Sequence, residues 1–183
     1  MSTNYELIPM LFTGLGNDFL ITVISIILPL NIGIALTILM HFTRKSPLPK
    51  IFRFLSILTE GLAPTAVLIF SYFCVFSSSN SGFVPASVAL SLCFMGYMIF
   101  RYNEQNSLVK NIVVNGIGLI ADMLKWCFCI LGYAGIMDLT KAANSYAGRT
   151  FDYFLPILLL LTISFIILAV LYIIRQICKE FMK

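Results

Sequence analysis

Charged side chains are scarce in this chain. Its 183 residues include 12 Lys and Arg, 8 Asp and Glu and a single His, whereas 60% of the residues are apolar and the mean hydropathy is +0.96. Soluble domains usually contain about 25% charged residues, against 11% here. The composition therefore excludes a water-soluble globular domain and predicts an integral membrane protein.

The sequence also lacks the residue patterns of common catalytic sites. No glycine-rich loop ends in Lys-Ser or Lys-Thr, so the usual phosphate-binding loop for ATP is missing. The lone His41 belongs to no Ser/His/Asp constellation. Cys127 and Cys129 would point about 200° apart on a helix, so they cannot bind one metal ion together. We expect no enzymatic activity, no cofactor and no metal on this chain.

Long apolar runs dominate instead, and five of them are long enough to cross a membrane. A helix needs about 20 residues to cross the hydrocarbon core, and in lipid it satisfies its own backbone polar groups. The sequence predicts an all-α membrane protein in which residues 1–183 form one transmembrane domain. The predicted helices are Phe19–Phe42, Phe54–Phe76, Phe83–Phe100, Asn111–Met137 and Tyr153–Ile174.

Basic residues alternate between the predicted loops. Nine cations fall on one set of loops and only Lys141 and Arg149 fall on the other. The positive-inside rule then predicts an N-terminus outside and a C-terminus in the cytoplasm. The nine cations predicted to be cytoplasmic are Arg44, Lys45, Lys50, Arg53, Arg101, Lys110, Arg175, Lys179 and Lys183.

The fourth predicted helix carries a polar stripe. Its members fall within about 80° of one another at 100° per residue. A charge near the centre of a bilayer costs about 3 kcal/mol, so Asp122 and Lys125 must face protein or water. The two can form an ion pair across one helical turn, which leaves two interpretations: a pair that locks helix packing, or part of a transport pathway. The stripe consists of Asn115, Gly118, Asp122, Lys125 and Cys129.

Glu60 is a further ionisable residue inside a predicted span. It lies about two turns beyond Arg53, within about 10 Å of the cytoplasmic face. Gly61 and Pro64 follow it, so we expect a kink or break there. Broken helices beside ionisable residues occur at transporter binding sites, and they also occur in ordinary kinked bundles.

The most specific motif begins in the fourth predicted helix. It reads LKWCFCILGYAGIMDL over Leu124–Leu139 and continues as TKAANSYAGRTFDYF to Phe154. This resembles the membrane subunits of bacterial polar amino-acid ABC importers, the histidine/glutamine/arginine permease family. The residues that match the family's motif are Lys125, Gly135, Asp138, Leu139, Lys141, Ala142, Ala143, Arg149, Thr150 and Phe151. Weaker similarity covers Gly16, Thr22, Ser25 and Ile69–Phe73.

The resemblance implies a type I ABC importer permease fold in the bacterial cytoplasmic (inner) membrane. It implies uptake of a polar or charged amino acid, which an extracytoplasmic binding protein delivers and a separate ATPase subunit powers with ATP. The substrate would bind between helices near the bilayer centre. The candidate substrate ligands are Asp122, Lys125, Asn115 and Glu60. The candidate docking residues for the binding protein are Asp138, Lys141 and Arg149, in a segment that is alternatively a solvated connector.

One departure from the family is informative. Its members carry a helix–turn–helix with a Glu-Ala-Ala motif between the third and fourth helices, and this element docks into the ATPase. Here only Arg101–Lys110 separates the spans, and one helix of that length covers about 15 Å with nothing left to return. We therefore expect a degenerate permease that forms a heterodimer with a second, complete permease subunit. The alternatives are a non-transporting scaffold or regulatory subunit, and an unrelated small channel or carrier.

Overall fold

The computed structural model describes residues 4–43, 47–76, 82–103 and 106–182, apart from the side chains of residues 4, 5, 48 and 60. Within these ranges the chain is helical and contains no β-strand. The helices are α1 Asn4–Phe42, α2 Leu48–Glu60, α3 Pro64–Phe70, α4 Phe83–Phe94, α5 Tyr97–Phe100, α6 Leu108–Ile130, α7 Leu139–Thr150 and α8 Phe154–Phe181. A π-helical turn, Ser71–Val75, follows α3, and a 3-10 turn, Leu131–Ala134, follows α6.

Among the described residues, four helical segments are long and apolar enough to cross a membrane: α1, the α4–α5 pair, α6 with its 3-10 turn, and α8. α2 and α3 form a fifth candidate span that is bent by 71°. Its described residues are therefore those of an all-α multi-pass membrane protein with four or five candidate spans. The orientation of these spans relative to the cytoplasm stays a prediction.

The helix bounds differ from the predicted ones at several places: α2 and α6 begin earlier, the third span is divided into α4 and α5, α6 ends at Ile130 and α8 continues to Phe181. α1 begins at Asn4 rather than near Phe19, because Leu7 and Leu11 are buried against α7 and extend the helix beyond the apolar run. The predicted break in the second span is confirmed. α2 ends at Glu60 and Pro64 opens α3, since proline is well placed in the first turn of a helix but disrupts its interior.

Successive spans run in opposite directions, so the bundle has two ends. At the α7 end, Gly14 of α1 packs directly against the backbone of Asp138. At the other end, the hydroxyl of Tyr102 lies 3.4 Å from Nδ1 of His41, and Arg53 donates a hydrogen bond to the carbonyl of Tyr102. We call this second end the Arg101 end. The described cations of the predicted cytoplasmic set lie on segments at the Arg101 end, whereas Lys141 and Arg149 lie on α7.

α6 is the central helix and contacts α1, α5 and α8. On one side, Leu119 and Met123 are fully buried in a core cluster with α1, α3 and α4. On another side, Leu124 and Phe128 pack into a second cluster with α1, α7 and α8. The remaining face of α6 carries Asp122, so the apolar packing of the helix fixes where its polar stripe points.

Candidate functional site

Asp122 lies at the centre of a polar cluster between α5 and α6. The hydroxyl of Tyr97 donates a hydrogen bond to Asp122 Oδ2 at 2.6 Å. Nη2 of Arg101 lies 3.7 Å from the same oxygen, and the guanidinium carbon of Arg101 lies 3.8 Å from the centroid of the Tyr97 ring. The carboxylate, the phenol and the guanidinium therefore stabilise one another by an ion pair, a charge-assisted hydrogen bond and a cation–π contact. We call these three residues the Asp122 cluster.

The short helix α5 positions two members of this cluster. Tyr97 opens α5 and Arg101 follows its last residue, so the two side chains are four residues apart and share one face. Two side chains of α6 hold the end of α5 in place. Nδ2 of Asn115 donates to the carbonyl of Arg101 at 3.2 Å, and Asn111 bonds both backbone groups of Asn103.

Lys125 does not form the predicted ion pair with Asp122. Within the described chain, Asp122 pairs with Arg101, which approaches from α5 and is held there by the Tyr97 ring. The Lys125 side chain is exposed and extends along the same surface of α6. The hypothesis that Asp122 and Lys125 neutralise each other was therefore wrong, and Lys125 remains a cation without a described acidic partner.

The Asp122 cluster borders a cavity of about 430 Å³, which we call the central cavity. Lys125 and Trp126 extend its wall along α6, and the break between α2 and α3 at residues 62–64 forms the opposite wall. At 1.5 Å per residue, Asp122 lies about 21 Å from the start of α6 and about 18 Å from the end of its 3-10 turn. The cavity is thus close to the middle of the span.

The central cavity opens to the side of the isolated chain. The side chains of Asp122 and Arg101 are 40% and 31% exposed, and Lys125 is exposed as well. Contact of such groups with lipid tails is unfavourable by about 3 kcal/mol each. This flank of the chain therefore requires water or a neighbouring protein against it.

The other two candidate ligands are placed differently. Asn115 is 6% exposed, and its amide nitrogen is engaged by the Arg101 carbonyl. It lines a second cavity of about 390 Å³ at the Arg101 end, which we call the Arg175 cavity. Arg101 lines both cavities and so connects them. Glu60 ends α2, and its side chain lies outside the described part of the structure.

Sequence reasoning did not identify Tyr97, Arg101 and Arg175 as members of a polar site. The two arginines were assigned to the positive-inside pattern, and Tyr97 lay within an apolar run. The one sequence feature that pointed to these side chains was Gly118 on the polar stripe, because a glycine there leaves room for them. A Cβ atom at Gly118 would lie 2.8 Å from the Tyr97 hydroxyl and 2.9 Å from Cζ of Arg175, so the glycine makes room for both side chains.

At the α7 end, Asp138 is 1% exposed and serves as the N-cap of α7. Its carboxylate accepts hydrogen bonds from the backbone N–H of Lys141 at 2.5 Å and of Gly132 at 2.6 Å. Burial raises the pKa of Asp138, and these two N–H groups partly offset that effect. Asp138 thus stabilises the start of α7, and its predicted role in docking stays a prediction. Lys141 is half-buried and Arg149 is exposed, so both remain candidates.

Asp138→Ala is expected to destabilise the protein by about 2 kcal/mol, since it removes an N-cap and leaves the Gly132 N–H without a partner. Ser107→Ala is the matched control. Ser107 caps α6 by accepting from the N–H of Lys110 at 3.2 Å, but it is exposed, so water replaces the lost bond. Thermal unfolding in detergent measures both variants. An equal or larger loss in Ser107→Ala would contradict the buried capping role of Asp138.

Models of known protein families do not match this sequence, and neither do curated proteins. Among solved structures, the chain is similar to the crystal structure of an amino acid ABC transporter with histidines. The TM-score is 0.73 at 18% sequence identity, and the similarity covers 94% of this chain and 94% of that chain. The chain therefore shares the fold of that ABC transporter chain. This confirms the expected architecture at the level of the fold.

Proposed function

We propose that the chain is the permease subunit of an ABC transporter that imports a polar or charged amino acid across the bacterial cytoplasmic membrane. The observation that carries this proposal is the Asp122 cluster, which places an acid, a phenol and a guanidinium beside a cavity midway along the spans. Intramembrane ionisable residues of this kind mark substrate pathways by default. Similarity over nearly the whole length to an amino acid ABC transporter supports the same function.

The cluster has the chemistry that an amino-acid zwitterion requires. Asp122 accepts the ammonium group, and Arg101 and Lys125 provide cations for the carboxylate. Without substrate, Asp122 is satisfied by Tyr97 and Arg101. An entering ammonium group competes with Arg101 for the Asp122 carboxylate, which releases the guanidinium to bind the substrate carboxylate in a bidentate manner. Substrate thus replaces an internal ion pair with two new ones.

The half-exposed charges of the central cavity support a heterodimer. A second permease subunit would cover this flank, so that each chain contributes half of the translocation pathway. An extracytoplasmic binding protein would dock on α7, where Asp138, Lys141 and Arg149 are the candidates. The ATPase subunit would bind ATP, and the conformational change that hydrolysis drives would reach this chain through the second permease subunit. Only Arg101–Ser107 connects α5 with α6, which leaves no room for a coupling helix pair.

That short connection also favours a second candidate function. A chain that is not coupled directly to the ATPase can act as a non-transporting scaffold that stabilises a complete permease. The two functions differ in what the central cavity does, because a scaffold needs no substrate contact at Asp122.

Affinity purification in mild detergent, followed by identification of the co-purifying chains, tests the assembly. We expect one complete permease subunit with a coupling helix, and one ATPase. A complex with this chain as its sole membrane subunit and with amino-acid-stimulated ATPase activity would contradict the heterodimer. Purification of this chain with no permease or ATPase would contradict the ABC transporter proposal as a whole and favour a solitary channel or carrier.

A further inference from the structure

The Arg175 cavity has features that the proposed transport function does not use. It lies at the Arg101 end between α6, α8 and the segment that follows α5. From α8, the residues Tyr172, Arg175, Gln176 and Lys179 line it, at the spacing i, i+3, i+4 and i+7 of one helical face. Three of these four residues, Arg175, Gln176 and Lys179, follow the uncharged part of α8.

The described lining of the cavity is cationic. Arg101, Arg175 and Lys179 line it, and none of its described lining residues is acidic. Arg101 shares its charge with Asp122. Nε of Arg175 donates to the carbonyl of Val114 at 3.2 Å, and this bond fixes the guanidinium beside Gly118. Within the described ranges, neither Arg175 nor Lys179 forms an ion pair.

Neutral hydrogen-bond donors complete the lining. The amide side chains of Asn103, Asn106 and Gln176 face the same cavity as the cations. Arginine and lysine with several neutral donors around an open volume make a typical environment for the oxygens of a phosphate group.

The helix segment that carries Arg175 and Lys179 lies at the end of the apolar run of α8, whereas the Arg175 guanidinium reaches back to Gly118, one turn from Asp122. The uncharged run Phe154–Ile174 of α8 extends over about 31 Å, which equals the roughly 30 Å of a hydrocarbon core. Arg175 follows that run directly, so its backbone lies where the apolar core gives way to the headgroups. Basic pockets between transmembrane helices at this depth bind anionic headgroups.

We propose that the Arg175 cavity is a phosphate-binding site, occupied either by the phosphodiester of an anionic lipid or by free inorganic phosphate. Arg175 and Lys179 supply the charge, and the amides of Asn106 and Gln176 donate to the remaining oxygens. The Arg175 cavity shares Arg101 with the central cavity, but the proposal does not depend on the proposed substrate or on the identity of any partner.

Titration of the purified full-length chain tests the site. Native mass spectrometry follows binding of phosphatidylglycerol, with phosphatidylcholine as the neutral comparison, and thermal unfolding follows inorganic phosphate against chloride at equal ionic strength. We expect Arg175→Gln and Lys179→Gln each to weaken binding about five-fold. Binding of phosphatidylglycerol alone identifies the lipid as the occupant, whereas a response to inorganic phosphate identifies the free anion.

Lys50→Gln and Lys110→Gln are the matched controls, because both lysines lie on segments at the Arg101 end but do not line the cavity. They are expected to bind as the unmodified chain does. Two results would overturn the proposal. One is no preference for phosphatidylglycerol over phosphatidylcholine together with no effect of phosphate. The other is an equal loss of binding in the control variants, which would mean that only the total charge of this end matters.

Discussion

Asp122→Asn is expected to reduce amino-acid binding by the assembled transporter at least ten-fold. The substitution keeps the shape of the side chain and an oxygen that accepts from Tyr97, but it removes the charge that would pair with the substrate ammonium group. Hydrogen bonds to charged groups contribute about 1.5–3 kcal/mol, and 1.4 kcal/mol corresponds to a factor of ten in affinity. The variant should still fold and assemble, because the carboxamide occupies the volume of the carboxylate.

Radiolabelled histidine, glutamine and arginine are suitable probes for this measurement, with uptake into cells that express the whole assembly as the second readout. Asp152→Asn is the matched control, since Asp152 is an exposed acid outside the spans. Undiminished binding and uptake in a properly assembled Asp122→Asn complex would remove the substrate role of the central cavity. The non-transporting scaffold would then be the better description of the chain.

Gly14→Ala is expected to destabilise the bundle by about 1–3 kcal/mol through overpacking. A Cβ atom at position 14 would lie 2.7 Å from the carbonyl oxygen of Asp138 and 2.9 Å from the nitrogen of Leu139. Both are backbone atoms at the start of α7, and they cannot rotate away as a flexible side chain would. The hydrogen bond from the Leu139 N–H to Asp18, now 3.0 Å long, would be disturbed by the same shift.

The expected destabilisation of the Gly14→Ala variant corresponds to a decrease of about 2–12 °C in its midpoint of thermal unfolding. Gly16→Ala is a close control. Gly16 lies two residues after Gly14 on the same helix, and a Cβ added there has no atom within 4 Å. Its midpoint should stay the same or rise, since replacing glycine in a helix is favourable by about 0.5–1 kcal/mol. Equal destabilisation of both variants would show that helix flexibility in α1, rather than contact with α7, determines the outcome.

The sequence predicted the architecture well because the bilayer imposes simple rules. Apolar run length indicates the spans, and the proline at position 64 marks the break between α2 and α3. It did not predict the start of α1. Residues 4–18 are less apolar than a span, and their helix is stabilised by contact between Leu7, Leu11 and α7. Leu7, Met10, Leu11 and Leu15 do recur at the spacing of one helical face, but the length of the apolar run does not reveal this, and their partner α7 is distant in the sequence.

The candidate site was predicted only in part, for the same reason. The helical periodicity of α6 placed Asp122 and Lys125 on one face, and both line the central cavity. The choice of partner for Asp122 depends on a different helix, since Arg101 reaches it from the end of α5. Spacing within one helix favours the nearest opposite charge, whereas the folded chain selects the cation that an aromatic ring already orients.

The only tryptophan of the chain is Trp126, and it borders the central cavity with 37% of its surface exposed. An indole in that position reports on the polarity of its immediate surroundings. The emission spectrum of the isolated chain therefore observes one location, and a shift in its wavelength would register the wetting or filling of that space. The intrinsic fluorescence of Trp126 can therefore report on the central cavity without an attached label.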